Sequence, residues 1–207
     1  AYGKPVLGSG AVWPIAESQI VCDPFVIPPT WPRIAGMDIG WDHPTAGAWW
    51  AHDRNTDTMY LYDTYKASKQ PVSVHASAFK ARGENIPVAW PHDALQAQKD
   101  TGRPMRDAYR AEGLMMLPDK ASFEDGSMGL EAGIQIMYQY MTTGRLKVFK
   151  TCEDWLAEYR TYHRKDGVVV PEYDDVVSSS RYGFVMRRYA QPLTAEQLKV
   201  YRMSWRA

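Results

Sequence analysis

Three acidic positions in this sequence are candidates for joint metal chemistry. Asp38 stands in Gly36-Met37-Asp38-Ile39-Gly40, Asp93 in Trp90-Pro91-His92-Asp93, and Asp174-Asp175 follow Tyr173. Asp38 lies in an apolar stretch, where a carboxylate is costly unless it has a partner. The other positions also have plain structural readings: Asp93 suits the cap of a short turn, and Asp174 alone suits a helix N-cap. Taken together, they match the needs of phosphodiester hydrolysis, which requires an activated water and a counter-charge for the leaving oxygen. Two divalent ions about 3.5–4 Å apart supply both, and Mg²⁺ or Mn²⁺ prefers carboxylate oxygens. Without metal, such crowded carboxylates repel one another and their pKa values rise.

The elements that must position them can be read from the pattern. Arg33 to Ile39, Gly47 to His52 and Thr58 to Tyr65 are short apolar or alternating runs separated by turn-like stretches, which predicts three antiparallel strands. Val72, His75, Ala76 and Phe79 recur at helical spacing behind Pro71. A strand is predicted over Ile86 to Trp90, a helix over Gly102 to Glu112, and a strand over Leu114 to Leu117. A longer helix follows over Ser127 to Thr143, then a strand over Leu146 to Phe149. Trp155, Leu156, Tyr159 and Tyr162 suggest a further helix, Gly167 to Val170 a short strand, and Asp174 to Tyr189 a closing helix. The expected fold is therefore α/β. Three antiparallel strands are followed by parallel ones in a mixed sheet with helices on both faces, the order of an RNase H-like fold. In that order the strands ending near Asp38 and Asp93 are neighbours and the last helix crosses them. All three acidic positions would then converge.

The same residues carry a family likeness. Met37-Asp38-Ile39-Gly40-Trp41-Asp42-His43-Pro44 resembles the first nuclease motif of tailed-phage terminase large subunits, the DNA-packaging motors, and Trp90-Pro91-His92-Asp93 resembles their second acidic motif. Tyr173-Asp174-Asp175-Val176-Val177-Ser178-Ser179-Ser180-Arg181-Tyr182 is similar to the third. One position departs: Ser178 stands where many relatives carry a further Asp, which concentrates the third ligand position on Asp174 or Asp175. The resemblance implies a metal-dependent endonuclease that cuts concatemeric double-stranded viral DNA during packaging. Asp38, Asp93, Asp175 and Asp174 would be the catalytic metal ligands. It implies an ATPase motor in the same full-length chain, portal and small terminase subunit as partners, and the host cytoplasm as the compartment. No G-x-x-x-x-G-K-[ST] motif is present, and Gly3-Lys4 is followed by Pro5. Other RNase H-like nucleases, of junction-resolvase or transposase type, share the three carboxylates, and a non-catalytic module for motor or portal partners is the reading outside enzymology.

His43 and His92 neighbour the acidic positions and read as hydrogen-bond partners behind the ligands rather than as ligands to an oxygen-preferring metal. Arg160, Arg164 and Lys165 form a basic stretch with Tyr159 and Tyr162 among them. Lys99, Arg103, Arg106 and Arg110 form another, and Arg181, Arg187 and Arg188 line the last helix. Sequence-neutral DNA binding needs such groups for phosphates, and the Arg160–Lys165 stretch is the first choice, with Arg103 and Arg106 next. His75 and His163 read as surface or satisfied core residues, and Trp41, Trp49 and Trp50 as core or core edge.

The 207 residues carry 24 Lys and Arg against 24 Asp and Glu, which excludes a grossly basic polyelectrolyte but not a local basic patch. Cys22 and Cys152 are too few for a disulfide scaffold and match no zinc spacing. No run approaches the roughly 18 apolar residues of a membrane span. The expected division is a proline-rich lead-in over 1–32 without regular elements, a nuclease domain over 33–190, and a tail over 191–207. The absence of a starting Met suggests a piece of a longer protein, with the lead-in joining it to a motor.

Overall fold

In the computed structural model, which describes residues 10–95, 102 and 104–194, the proline-rich lead-in is built into the fold. Glu17–Ile20 forms a short helix (α1) that runs into Val21–Cys22 (β1). The prolines bracket these elements without interrupting them. Val12, Trp13, Ile20 and Ile27 are buried, and the Trp13 indole donates to the Ile134 carbonyl at 3.0 Å. Burial of these apolar groups outweighs the low intrinsic propensity of the segment, so the expectation of an element-free lead-in fails over its described part.

The three predicted strands form an antiparallel meander, Arg33–Asp38 (β2), Thr45–Asp53 (β3) and Thr58–Ala67 (β4). The β3–β4 turn is tied by Asp53, whose carboxylate accepts from the Asn55 N–H and the Thr56 hydroxyl. Val72–Lys80 (α2) then leads to Val88–Ala89 (β5), parallel to β2. A 3₁₀ turn over His92–Leu95 follows, then Met105–Ala111 (α3) behind Pro104. The strand expected over Leu114 to Leu117 is reduced to one parallel bridge between Val88 and Met116. The Met116 N–H turns back to the Leu114 carbonyl at 2.8 Å and so leaves the ladder.

Leu130–Thr142 (α4) leads into Leu146–Phe149 (β6), which pairs in parallel with both β4 and β1. Glu153–Thr161 (α5) precedes a small hairpin, Arg164–Lys165 (β7) and Val168–Val169 (β8). Its turn residues Asp166 and Gly167 both have positive φ, 52° and 81°, as a tight two-residue hairpin turn requires. Asp175–Val185 (α6) closes the fold, and a 3₁₀ turn over Arg187–Tyr189 takes the last part of the helix predicted to Tyr189. Among the described residues the main sheet runs β1-β6-β4-β3-β2-β5, the mixed RNase H-like order with β2 and β5 side by side.

The crossing of α6 over β2 is unusually close. A methyl group at Gly36 would lie 1.8 Å from the Ser179 carbonyl oxygen and 2.7 Å from the Gly183 nitrogen. Helix and strand therefore meet backbone to backbone, and the small run Ser178–Ser180 fills the contact. The Trp50 indole donates to the Ser180 carbonyl at 2.8 Å and the Trp155 indole to the Ser180 hydroxyl at 2.9 Å, which lock α6 to β3 and α5.

Candidate metal site

The close crossing sets the geometry of the acidic groups. Asp38 is the last residue of β2, two residues beyond Gly36, and Asp175 is the first residue of α6, one turn before Ser179. Asp93 stands in the 3₁₀ turn just past β5, the strand beside β2. Asp38 is partly buried and Asp93 exposed. Burial pushes the Asp38 carboxyl up to about 8, and the charges of Asp93, Asp175 and Asp174 add to the rise, with Arg181 opposing it. The four carboxylates thus share one electrostatic site. Asp174 is also raised, first by burial, while the Ser178 hydroxyl, donating to its Oδ2 at 3.2 Å, works the other way. Ser178, where the resemblance led one to look for a fourth acid, instead serves Asp174.

Among the described residues no three His, Cys, Asp or Glu side chains are drawn tightly enough together to enclose an ion. The fit to a metal rests on other grounds. The donors are all hard oxygens, and burial together with the neighbouring carboxylates raises the proton affinity of Asp38 even though Arg181 opposes the rise.

Two residues that were not singled out in the sequence brace this site. Lys66, near the end of β4, places Nζ 2.9 Å from Asp175 Oδ2 and 2.7 Å from Glu158 Oε1. The other oxygen of Glu158 accepts the N–H groups of Val176 and Val177, each at 2.8 Å. Glu158 therefore caps the start of α6 from a neighbouring helix and, through Lys66, holds Asp175. Burial pushes Glu158 up to about 7 although Lys66 opposes it. Burial works against the Lys66 ammonium, but Glu158 and Asp175 overcome it and hold its pKa above the ordinary value. The signal was weak because charged residues in a strand and on a helix face are common and these two are far apart in the chain. Glu158→Ala should cost roughly 3 kcal/mol, since it strands two helix N–H groups and an ammonium in a site of low exposure. Urea denaturation measures this, and a change below about 0.5 kcal/mol would refute the bracing role.

His43 and His92 are exposed. Trp41, expected at the core edge, is 62% exposed, because the Gly40–Pro44 loop is held by Thr45 bonds to Gly40 and leaves its indole outside. His75 is buried and shares a 2.9 Å hydrogen bond with the Tyr65 hydroxyl. The basic groups proposed for DNA are for the most part engaged. Arg160 grips Glu17 through two bonds of 2.7 Å, and Arg164 grips Glu131 at 2.7 and 2.6 Å. Arg106 lies over the Trp90 ring and bonds to Asp107. Lys165 is exposed on the hairpin, and Arg103 and Lys99 lie outside the described residues.

Residues 35–187 match the family described as the terminase RNaseH-like domain. The chain is similar to the terminase large subunit of Salmonella phage P22, at 41% identity over 194 residues, 92% of this chain and 38% of that one. It spans about two fifths of the length of the curated relatives it matches. The solved P22 large terminase nuclease domain has a TM-score of 0.84 to this chain and is 40% identical, covering 91% of this chain and 97% of that one. The large terminase nuclease domain of bacteriophage SPP1, solved with bound Mn, has a TM-score of 0.60 over 81% of this chain and 95% of its own. At 12% identity it shares the fold.

Proposed function

The chain belongs to the terminase RNaseH-like domain family, and from that premise we propose that it is a metal-dependent endonuclease that cuts concatemeric double-stranded viral DNA during genome packaging. One observation carries the reading. Asp38 sits at the end of a buried strand with its proton affinity raised by burial and by Asp93, Asp175 and Asp174, carboxylates brought to it by two other elements. A structural role would not require that concentration of like charge. A metal-binding role does.

Asp38, Asp93 and Asp175, with Asp174, would hold two Mg²⁺ or Mn²⁺ ions, the hard-oxygen class to which the Mn bound in the SPP1 nuclease domain belongs. When bound, the ions would supply an activated water and a counter-charge for the leaving 3′ oxygen. The chain's own contribution is placement. β2, which ends in Asp38, pairs with β5, which leads to the turn carrying Asp93, while Glu158 and Lys66 hold the start of α6 and Asp175. Neither cysteine is an activated nucleophile, since burial raises both thiol pKa values and so favours the protonated form.

The DNA would be met by sequence-neutral phosphate contacts from Lys165, which is exposed on the β7–β8 hairpin, and from Arg160, Arg164, Arg103 and Arg106. Arg160 and Arg164 would have to exchange Glu17 and Glu131 for phosphate. The motor domain, portal and small terminase subunit are the partners proposed for the full-length protein, in the host cytoplasm. No described helix is long and apolar enough to cross a membrane.

The test is a supercoiled-plasmid assay with Mg²⁺, Mn²⁺ or EDTA, run beside Asp93→Asn. Nicking or linearisation that needs metal, stops in EDTA and falls on the order of a hundredfold or more in the variant is expected. Equal cleavage in EDTA, or an unaffected variant, would overturn the metal assignment. No cleavage at high protein concentration with either ion would point to a binding module.

A further inference from the structure

Beside the acidic site lies a cavity of about 320 Å³ whose walls include His92, Ser122, Met128, Gly129, Arg181 and Tyr182. Two independent features give it the chemistry of an anion site. The first is the start of α4, a 13-residue helix, which opens at the cavity wall: its N-cap is Gly129, which has no side chain to cap the first turn. The leading N–H groups of such a helix carry partial positive charge and are ready donors to an anion. The second is Arg181. It is only 9% exposed, its Nε has no hydrogen-bond partner, and among the described residues it makes no ion pair within 4.0 Å. Its stem runs beneath the first turn of α4, so that a methyl group at Gly133 would lie 2.9 Å from its Cδ. Its guanidinium faces the Tyr182 ring at 4.7 Å. The charges of Asp38 and Asp174 reach it without contact, but a buried guanidinium whose Nε is unsatisfied and which has no ion pair among the described residues keeps a donor for a partner that arrives from outside. The one acid in the first turn of α4, Glu131, is bound through both oxygens by Arg164, so its charge is offset.

We infer that this cavity is a phosphate subsite: the uncapped start of α4 and Arg181 together take a backbone phosphate of the DNA strand beside the bond to be cut. The inference rests on the nuclease reading for its ligand. His92, one residue from Asp93, lines the cavity, which so adjoins that acidic position along the chain. A strand whose scissile phosphate lies at the carboxylates would therefore place a neighbouring phosphate at Arg181. Such a contact positions the strand and carries no sequence information.

Replacing Arg181 risks the fold, so the test uses Gly129. A side chain there meets only Ala132 Cβ, at 3.6 Å, an ordinary contact. Gly129→Asp caps the helix and lays a carboxylate across the same N–H donors, whereas Gly129→Ala adds bulk without charge or cap. Binding of a short duplex is measured in EDTA over a series of salt concentrations, so the result does not depend on cleavage, and inorganic phosphate is titrated in parallel. The expected result is about tenfold weaker duplex binding for Gly129→Asp, equal across sequences, with the salt slope reduced by about one. Gly129→Ala should stay within about twofold of the parent, and thermal melts should show Gly129→Asp at least as stable as the parent. Weak phosphate binding that Gly129→Asp abolishes is also expected. Unchanged duplex affinity and slope in Gly129→Asp would overturn the inference, and phosphate binding lost without any change in duplex binding would show a site for free phosphate instead of the strand. If the wild-type protein fails to cleave with any metal, the nuclease reading fails, while the duplex measurement still decides the subsite.

Discussion

Asp38→Asn is expected to abolish cleavage and, in the same protein, to raise the melting temperature of the metal-free form. The two effects have one cause. Asp38 lies at the end of a buried strand with three other carboxylates in electrostatic reach, and Arg181 only partly offsets them. Asparagine keeps the shape of the side chain but removes the charge. Metal affinity falls with the loss of a hard anionic ligand, and cleavage should drop on the order of a thousandfold. The metal-free fold meanwhile sheds a like-charge repulsion. A plasmid assay and a thermal melt in EDTA at pH 8 check both directions. A variant that is both inactive and less stable than the parent would mean that Asp38 holds the strand end and that its acidity is incidental.

The pH dependence follows with a definite sign. The folded pKa of Asp38 is raised from 3.8 to about 8, so between those values the native state holds a proton that the unfolded chain has released. Stability of the metal-free protein therefore falls as pH rises through that window and levels off above it. Glu158, raised from 4.5 to about 7, adds a fall of the same sign that ends nearer neutrality. Asp38→Asn should flatten the higher part of the curve and leave the Glu158 part. Mn²⁺ should raise the melting temperature of the parent more at pH 8 than at pH 5, because binding competes with protons for the same oxygens. Melts at both pH values, with and without Mn²⁺, are the check.

The elements that carry the acidic positions were legible: Asp38 ends an apolar strand, Asp93 follows a β-rich run, and Asp174 and Asp175 stand at a helix start. Strand order followed from element order, since the βαβ return places β5 beside β2. What escaped was set by tertiary packing. Proline density correctly marks Pro14, Pro24 and Pro28 as interruptions, but whether Trp13 finds a core beside them depends on α4 and α5. The same holds for Trp41, whose hydrophobicity says buried while its loop points it to solvent. Lys66 and Glu158 have no local signature. Their role exists only once β4, α5 and α6 meet, and so does the engagement of Arg160 and Arg164 with Glu17 and Glu131.

Gly36→Ala is expected to damage fold and site through a single methyl group. The reason is where the group would go, since the local backbone of a strand favours alanine over glycine. At 1.8 Å from the Ser179 carbonyl oxygen and 2.7 Å from the Gly183 nitrogen, the new atom meets backbone on both sides, and no side chain can rotate away. α6 must lift from β2, but the indoles of Trp50 and Trp155 hold it at Ser180. A cost of about 3 kcal/mol or more is expected, at the high end of overpacking, which for a chain of this size lowers the melting temperature by roughly 6–12 °C. The displacement also reaches the chemistry, because Asp38 rides on β2 and Asp175 on α6. A shift of about 1 Å between them is enough for a loss near a hundredfold in cleavage of the protein that remains folded. Gly129→Ala, with its nearest contact at 3.6 Å, is the control and should melt within a degree or two of the parent. If Gly36→Ala melted with it, the close crossing of α6 over β2 would not be what holds the carboxylates together.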